Sequence, residues 1–358
     1  MIKIYCIVLL ISSVFSQTEI TFDERTMMLN NNLKANPEDL FKLFIKIYNK
    51  PYILETTEGK IRFEIFKQTL ENVIKSGENK EKSYDLGLNS FSDLTQEEIK
   101  NRYLDFNIVQ HLQNLNKETN SEINYFLKET SSPKFSPIDW RDQDLFNEVR
   151  DQGDCGACWA FAVTGTMEAH FTLKTGIKNE YLSVQQLVDC DTKEKGCKGG
   201  WPSIAYNYIQ KNGLVSDENY PYEAKTNTCK SDIVSSSNKY MISKFNSCEE
   251  DECNNNNFFN SLLQKGPFAV VIDAYNTEFF NYKSGIYNQS CAEPNHAIIL
   301  VGYGKDDKTG EDYWIIRNSW SNSWGMNGYG YVKNDMNNYY SCNINRYAFQ
   351  PEIKTSKN

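Results

Sequence analysis

Cys158 stands just past two glycines in Gly153-Asp154-Cys155-Gly156-Ala157-Cys158-Trp159-Ala160-Phe161, and a run of helical character, Trp159 to Lys174, follows directly. The spacing predicts a thiol at a helix N-terminus. Unsatisfied backbone N–H groups and the macrodipole favour an anion there, which is the nucleophilic form of sulfur. Such a nucleophile needs a base to take its proton and a third group to orient that base. The chain has three histidines. His111 lies in a polar stretch of the N-terminal third. His170 falls on the same expected helix as Cys158, roughly 18 Å along its axis at 1.5 Å per residue, so it cannot reach the thiol and reads as an ordinary helix residue. That leaves His296, which opens the apolar run Ala297-Ile298-Ile299-Leu300-Val301. A histidine at a strand end can face a thiol across a cleft. Asn318, in Arg317-Asn318-Ser319-Trp320, ends the next expected strand and can fix the imidazole, with Trp320 shielding that contact from water. The backbone N–H of Cys158 and the side-chain amide of Gln152 are close enough in sequence to hold an oxyanion.

The elements that must position these groups fall into two regions of different composition. Residues from about 17 to 130 are rich in Glu, Lys, Asn and Leu, and hold no cysteine. Helical periodicity in Leu40, Leu43, Phe44 and Ile47, and again in Ile61, Ile65, Phe66, Leu70 and Val73, predicts two helices joined near Pro51. Leu86 to Asp93 reads as a short strand and turn before a further helix at about Gln96 to Tyr103. Two capping boxes are available to it, Asp93 with Gln96 and Thr95 with Glu98, so Asp93 is either a cap or a residue with another task. The polar segment from Asp105 to Pro133 reads as a linker or cleavable connection. From about Lys134 on, Trp, Gly and Cys become dense. Helices are expected at Trp159 to Lys174, closed by Gly176, at Val184 to Val188, capped by Ser183, and at Pro202 to Lys211, closed by Gly213. Strands are expected at Phe268 to Ile272, Ala297 to Tyr303, Tyr313 to Arg317 and Tyr329 to Val332. The fold class is therefore α+β, with a helical half, a β-rich half and a cleft between them.

The chain is 358 residues long with a formal net charge of −9, which gives no reason to expect a nucleic-acid partner or an anionic membrane surface. Lys3, the apolar run Ile4 to Val14 and the small residue Ser16 predict a secretory signal over residues 1–16, too short to span a bilayer. No later segment is long and apolar enough for a membrane anchor. Of the ten cysteines, Cys6 leaves with the signal. With Cys158 set aside as reactive, an even number remains, which suits four bridges in an oxidising compartment. Asn288-Gln289-Ser290 is a glycosylation sequon, in keeping with export.

Taken together, these residues resemble the papain-like cysteine proteases. The resemblance rests on Gln152 to Phe161, which contains the Cys-Gly-[Ser/Ala]-Cys-aromatic signature, on Gly196-Cys197-Lys198-Gly199-Gly200, on Asn295-His296-Ala297 with Val301-Gly302-Tyr303-Gly304, and on Arg317-Asn318-Ser319-Trp320 with Trp324-Gly325 and Gly328-Tyr329-Gly330. Asn318 follows Cys158 at slightly more than the family's spacing. The leader is similar to the inhibitory propeptide of the cathepsin L-like branch: Gly87, Asn89, Phe91 and Asp93 reproduce Gly-x-Asn-x-Phe-x-Asp. Of the longer helical motif, Glu58, Arg62 and Phe66 match, while Thr69, Val73 and Gly77 stand where Asn, Ile and Asn are usual.

The resemblance implies a papain-like two-domain fold, with a helical left domain and a β-barrel-like right domain, preceded by a mainly helical propeptide. It divides the chain into a signal peptide (1–16), an inhibitory propeptide (17–133) and a peptidase domain (134–358). It implies a monomeric cysteine endopeptidase without cofactor or metal, acting on proteins and peptides, inhibited by its own propeptide, and secreted or held in an acidic compartment of lysosomal or vacuolar kind. Cys158, His296, Asn318 and Gln152 would be catalytic, and cleavage would fall between about Thr130 and Ser136. The family's bridges carry over as Cys155 with Cys197, Cys190 with Cys229, and Cys291 with Cys342, leaving Cys248 and Cys253 for a local fourth. Gly199 and Gly200 would pair with an extended substrate, Trp201, Pro202 and Tyr347 would shape the main specificity pocket, and Trp320 would line the site. A second class stays open from the residues alone: Cys155-Gly156-Ala157-Cys158 is also a C-x-x-C at a helix start, as in a thiol-disulfide oxidoreductase. Its drawbacks are the chain length and the missing βαβ context.

Overall fold

The computed structural model describes residues 22–105, 136–249, 253, 256–334, 342 and 344–354. The expected signal peptide, His111, the polar connection beyond Asp105 and the expected cleavage stretch up to residue 135 lie outside the described residues. The described chain forms two compact units, one holding the leader up to Glu78 with Gly87–Asp93, the other Asn79–Leu86 and Leu94 onward.

The first unit is built on α1 (Phe22–Asn31), α2 (Pro37–Ile47) and α3 (Thr57–Glu78). Pro37 at the first turn, with the Asn36 side chain accepting from the N–H groups of Glu38 and Asp39, starts α2. Leu40, Phe41, Phe44 and Ile47 bury its inner face. Phe41 and Phe44 meet Phe66 of α3 at ring distances of 5.2 and 5.0 Å, and each such ring buried stabilises the unit by about 1.5–3 kcal/mol. The turn over Gly87–Asp93 is locked locally: Asn89 Oδ1 accepts from the Phe91 N–H at 3.0 Å, and Phe91 is buried. Asp93 is not a helix cap. Its carboxylate, 1% exposed, takes Lys50 Nζ at 2.8 Å and the Tyr52 hydroxyl, while Arg62 donates to its main-chain carbonyl. Burial is tolerable because the charge is paired and hydrogen-bonded.

The second unit begins with β1 (Tyr84–Leu86) and α4 (Gln96–Tyr103). Thr95 and Glu98 make the reciprocal capping box that defines the start of α4. After the short β2 (Ile138–Asp139) comes α5 (Cys158–Thr175), whose burial extends all round its N-terminal three turns and which ends at Gly176 with φ +75°. A helix buried on every side belongs in the middle of a core, and α5 packs against the sheet on one side and later helices on the other. α6 (Val184–Cys190) starts at Ser183, whose side chain accepts from Gln186 N–H, and α7 (Pro202–Asn212) carries Pro202 at its first turn and ends at Gly213.

The remaining strands are β3 (Ile242–Glu249), β4 (Phe268–Ile272), β5 (Tyr282–Tyr287), β6 (His296–Lys305), β7 (Asp312–Arg317), β8 (Tyr329–Lys333) and β9 (Tyr347–Ile353). Their order is β1-β5-β8-β7-β6-β4-β9-β3, an open path, with β2 attached to β6. β6 and β7 are antiparallel with Ile299 opposite Arg317. That register brings the start of β6 and the end of β7 to the same edge, so His296 and Asn318 become neighbours. Disulfides join Cys155 to Cys197, Cys190 to Cys229, Cys248 to Cys253 and Cys291 to Cys342, and Cys158 is a free thiol.

Candidate active site

Cys158 is the first residue of α5, and Ala157 before it offers no side-chain cap. The helix start is therefore left with its donors directed at whatever sits beside the sulfur. The preceding loop is held from both sides: the Cys155–Cys197 bridge ties it to the Gly196–Gly200 stretch, and Gly156 N–H donates to the Cys197 carbonyl at 2.9 Å. The N–H groups of Ala297, Trp159 and Cys158 favour the thiolate, but burial outweighs them and pushes the thiol up to about 12.

His296 is fully buried, and its Nε2 lies 2.8 Å from Asn318 Oδ1. The Ser319 N–H donates to the same oxygen at 2.8 Å. An oxygen taking two donors fixes the amide's orientation and makes Nε2 the protonated nitrogen of the neutral ring. Nδ1 is left without a protein partner among the described residues. Trp320 stacks on the imidazole, with ring centres 4.6 Å apart, and belongs to an aromatic group with Trp324, Phe279 and Phe280. Burial pushes His296 down to about 4, partly opposed by the Asn318 bond. Burial thus disfavours the charged form of each group, raising the thiol and lowering the imidazole.

Gln152 is oriented by the same tripeptide. Its Oε1 accepts from Ser319 Oγ at 2.7 Å and Trp320 Nε1 at 3.1 Å, which turns Nε2 toward the Tyr103 carbonyl (3.0 Å) and the Cys155 carbonyl (3.0 Å). Ser319 lies inside the motif Arg317-Asn318-Ser319-Trp320, but nothing local in the sequence marks its hydroxyl as the partner of Gln152. A serine beside Asn318 looks like an ordinary turn residue until its partner, far back in the chain, is known.

Gly199 and Gly200 run beside this centre. Gly199 has φ +112°, and a Cβ there would fall 2.1 Å from the Asp105 carboxylate carbon, so glycine is required twice over. The Gly200 N–H donates to Asp105 Oδ2 at 3.0 Å, and the Asp105 N–H donates to the Asn295 carbonyl at 2.8 Å. Expected to open a linker, Asp105 is instead 1% exposed and bonded to both walls. Its partners lie so far along the chain that no local pattern announces them. Beneath Gly200, Glu194 accepts the Trp201 N–H at 2.8 Å, and burial, with Asp191 and Asp105 adding like charge, pushes its carboxyl up to about 9. Trp201 and Tyr347 meet edge to face at 5.1 Å, both fully buried, with Pro202 also buried at the head of α7. His170 sits elsewhere, its Nε2 2.7 Å from the Pro267 carbonyl.

A free thiol at a helix start, a histidine held by an amide, and a second amide held by the residues next to that one are the groups a thiol peptidase would need. Residues 135–352 match the family model "Papain family cysteine protease", and residues 41–99 match "Cathepsin propeptide inhibitor domain". The chain belongs to the papain family of cysteine proteases and carries the propeptide of a zymogen. Among curated relatives, it is 34% identical to digestive cysteine proteinase 2 of Homarus americanus over 86% of this chain and 92% of that one. It is 35% identical to cathepsin S of Bos taurus over 88% and 92%. Among solved structures, the proform of the ragweed pollen allergen Amb a 11 cysteine protease superposes with a TM-score of 0.77 at 27% identity, covering 91% of this chain and 98% of that one. Digestive procathepsin L 3 from the Tenebrio molitor larval midgut gives 0.73 at 31%, covering 89% and 99%.

Proposed function

We propose that this protease is an endopeptidase made as an exported zymogen, with residues 1–16 as signal, 17–133 as inhibitory leader and 134–358 as peptidase. The observation that carries the mechanism is the His296–Asn318 bond of 2.8 Å, with the Ala297 N–H next to His296 bonded to the Cys158 sulfur and Gln152 Nε2 3.0 Å from the Cys155 carbonyl. Cys158 Sγ passes its proton to His296 Nδ1 and attacks the substrate carbonyl carbon. The oxyanion is held by Gln152 Nε2 and the Cys158 N–H. The imidazolium then protonates the leaving amine, and the C–N bond breaks to leave a thioester. Water, deprotonated by His296, releases the acid and restores the thiol. Asn318 keeps the ring turned. No further histidine is placed to obstruct the cleft as exopeptidase relatives of cathepsin B type do, since His170 is committed to Pro267 and His111 belongs to the leader.

In the zymogen, residues 103–105 occupy the groups a substrate needs. The Tyr103 carbonyl takes Gln152 Nε2, and Asp105 engages both Gly200 N–H and the Asn295 carbonyl. Gly199 and Gly200 would offer their edge to an extended substrate once these residues leave, and Trp201, Pro202 and Tyr347 would wall a shallow apolar pocket. Relatives among cathepsins and plant proteases support export to the outside or to an acidic compartment. The test is mild acid incubation of the full chain, followed by mass spectrometry and labelling with a thiol-directed epoxide. Loss of the leader and a label on Cys158 are expected. A Cys158→Ala protein that still hydrolyses peptides at the wild-type rate would sink the mechanism. The oxidoreductase alternative is corrected by the bridge from Cys155 to Cys197, which leaves Cys158 as the free thiol, so one titratable thiol is expected and not two or none.

A further inference from the structure

A cavity of about 20 Å³ is bounded by α5 (from Phe161 to Glu168), the start of β6 (Ala297 to Ile299), Arg150 and the stretch Arg317 to Ser319. Asn318 is 4% exposed. Its Oδ1 is doubly occupied by His296 and Ser319, but its Nδ2, fully buried, meets no acceptor among the described residues. A buried amide N–H₂ without a partner is costly, and such groups in folded proteins are regularly found bonded to internal water. A cavity of this size holds about one water when two to four polar groups reach it. Here Asn318, Glu168, Ser319 and the two guanidiniums share the wall, and the Ser319 hydroxyl already donates to Gln152 Oε1.

Glu168 is the acceptor of that set. Its Oε1 already receives Arg150 Nη2 at 2.9 Å and the Leu182 N–H at 2.8 Å. Arg150 is further engaged by the Leu182 carbonyl, Thr164 and Asp217, and Arg317 by the Glu148 carbonyl and the Tyr329 hydroxyl. The charged groups around Glu168 are thus Arg150, Arg317 and Asp217, and all three act on it. Of the charged side chains on the cavity wall, the arginines can only donate, so the Glu168 carboxyl is the one that can accept a bond from a water hydrogen.

We propose that Glu168 is a positioning residue for the catalytic amide, acting through a water held in this cavity that accepts from Asn318 Nδ2 and donates to the Glu168 carboxyl. Pinned on both its oxygen and its nitrogen, the amide cannot tilt. His296 Nε2–H then stays directed at Oδ1 and Nδ1 stays directed at the sulfur. The inference rests on the proposed roles of Cys158, His296 and Asn318.

The experiment is a double-mutant cycle in the full chain, activated by acid and assayed on a fluorogenic peptide. Glu168→Ala should lower kcat roughly tenfold with KM little changed, the loss expected when a buried donor loses its acceptor. Glu168→Gln, which keeps an acceptor of similar reach, should recover most of it. In an Asn318→Ala background, Glu168→Ala should cost nothing more, because its route to the histidine is already cut. An equal tenfold loss in that background would show a merely structural role and overturn the proposal. Should Glu168→Ala fail to fold, Ala162→Val, which fills the cavity with methyl groups and leaves Glu168 and Arg150 paired, should reproduce the fall in kcat and shift the acid limb of the thiol-alkylation pH profile. An unchanged kcat and profile would likewise overturn it. Failure of the underlying mechanism is separately visible, as retained activity in Cys158→Ala.

Discussion

Replacing Asp105 should loosen the zymogen's hold on its own site. The Asp105 carboxylate accepts the Gly200 N–H at 3.0 Å in a position 1% exposed, and a hydrogen bond to a charged group is worth about 1.5–3 kcal/mol. Part of that is offset, because Asp105 adds like charge to buried Glu194 and to Cys158. A net loss just under the lower end, about 1.4 kcal/mol, is therefore the fair expectation, and it corresponds to roughly a tenfold rise in the open population. Cys158 labelling measures that population: the thiol is 1% exposed in the closed zymogen, so a thiol reagent reacts through transient opening. Full-length wild type, Asp105→Asn and Asp105→Ala would be labelled at one neutral pH, with mass spectrometry verifying that the leader is intact. Asp105→Ala should react about tenfold faster, and Asp105→Asn, which keeps the shape but loses the charge, about threefold faster. Labelling of Asp105→Ala at the wild-type rate would refute the reasoning, since the residue would then contribute to packing without holding the cleft closed.

Burial pushes the Cys158 thiol up to about 12 in the intact chain, so little thiolate exists at neutral pH. Removing the leader rehydrates the sulfur and should lower the midpoint of alkylation by several pH units, measured as rate against pH before and after activation. Glu194 has a folded-state pKa raised above its unfolded one, to about 9. Its contribution to stability is therefore full below about pH 4.5 and falls as pH rises toward 9. Glu194→Gln should flatten that dependence and raise the melting temperature of the full chain at pH 8 by about 3 °C or more, with little change at pH 4. Gly285, at φ +82°, faces Ser83 so closely that a Cβ would fall 2.4 Å from its carbonyl oxygen. Gly285→Ala should therefore break the β1–β5 pairing and accelerate Cys158 labelling in the intact chain.

Local signals carried much of the fold into view. Helix α4 was legible near its start because Thr95 and Glu98 make a capping box, one of two the sequence offers, and β4, β6, β7 and β8 were legible because their runs are β-branched or aromatic. Less was visible where pairing, not propensity, makes the strand. β3 (Ile242–Glu249) mixes Ser, Lys and Asn, and β9 contains Gln350 and Pro351, yet the two lie in register along most of their length. Helix α1 carries too weak an apolar stripe to be seen. In the candidate site, Cys158, His296, Asn318 and Gln152 could be proposed from the sequence because scarcity of histidine and a short motif narrowed the search. Asp105, Ser319 and Glu168 could not, since each acquires meaning from a residue remote in the chain.

The two bonds that Gln152 Oε1 accepts, from Ser319 and Trp320, have a consequence for how such a protein can change over evolutionary time. Asn318, Ser319 and Trp320 form one uninterrupted tripeptide that steers the histidine on one side and the Gln152 amide on the other. On the proposed mechanism, proton transfer and oxyanion binding would therefore share a single point of inheritance. A descendant drifting through this tripeptide cannot relax one function while selection maintains the other. Lineages of this fold that survive as non-catalytic binders should show substitutions at Gln152 and in the tripeptide together.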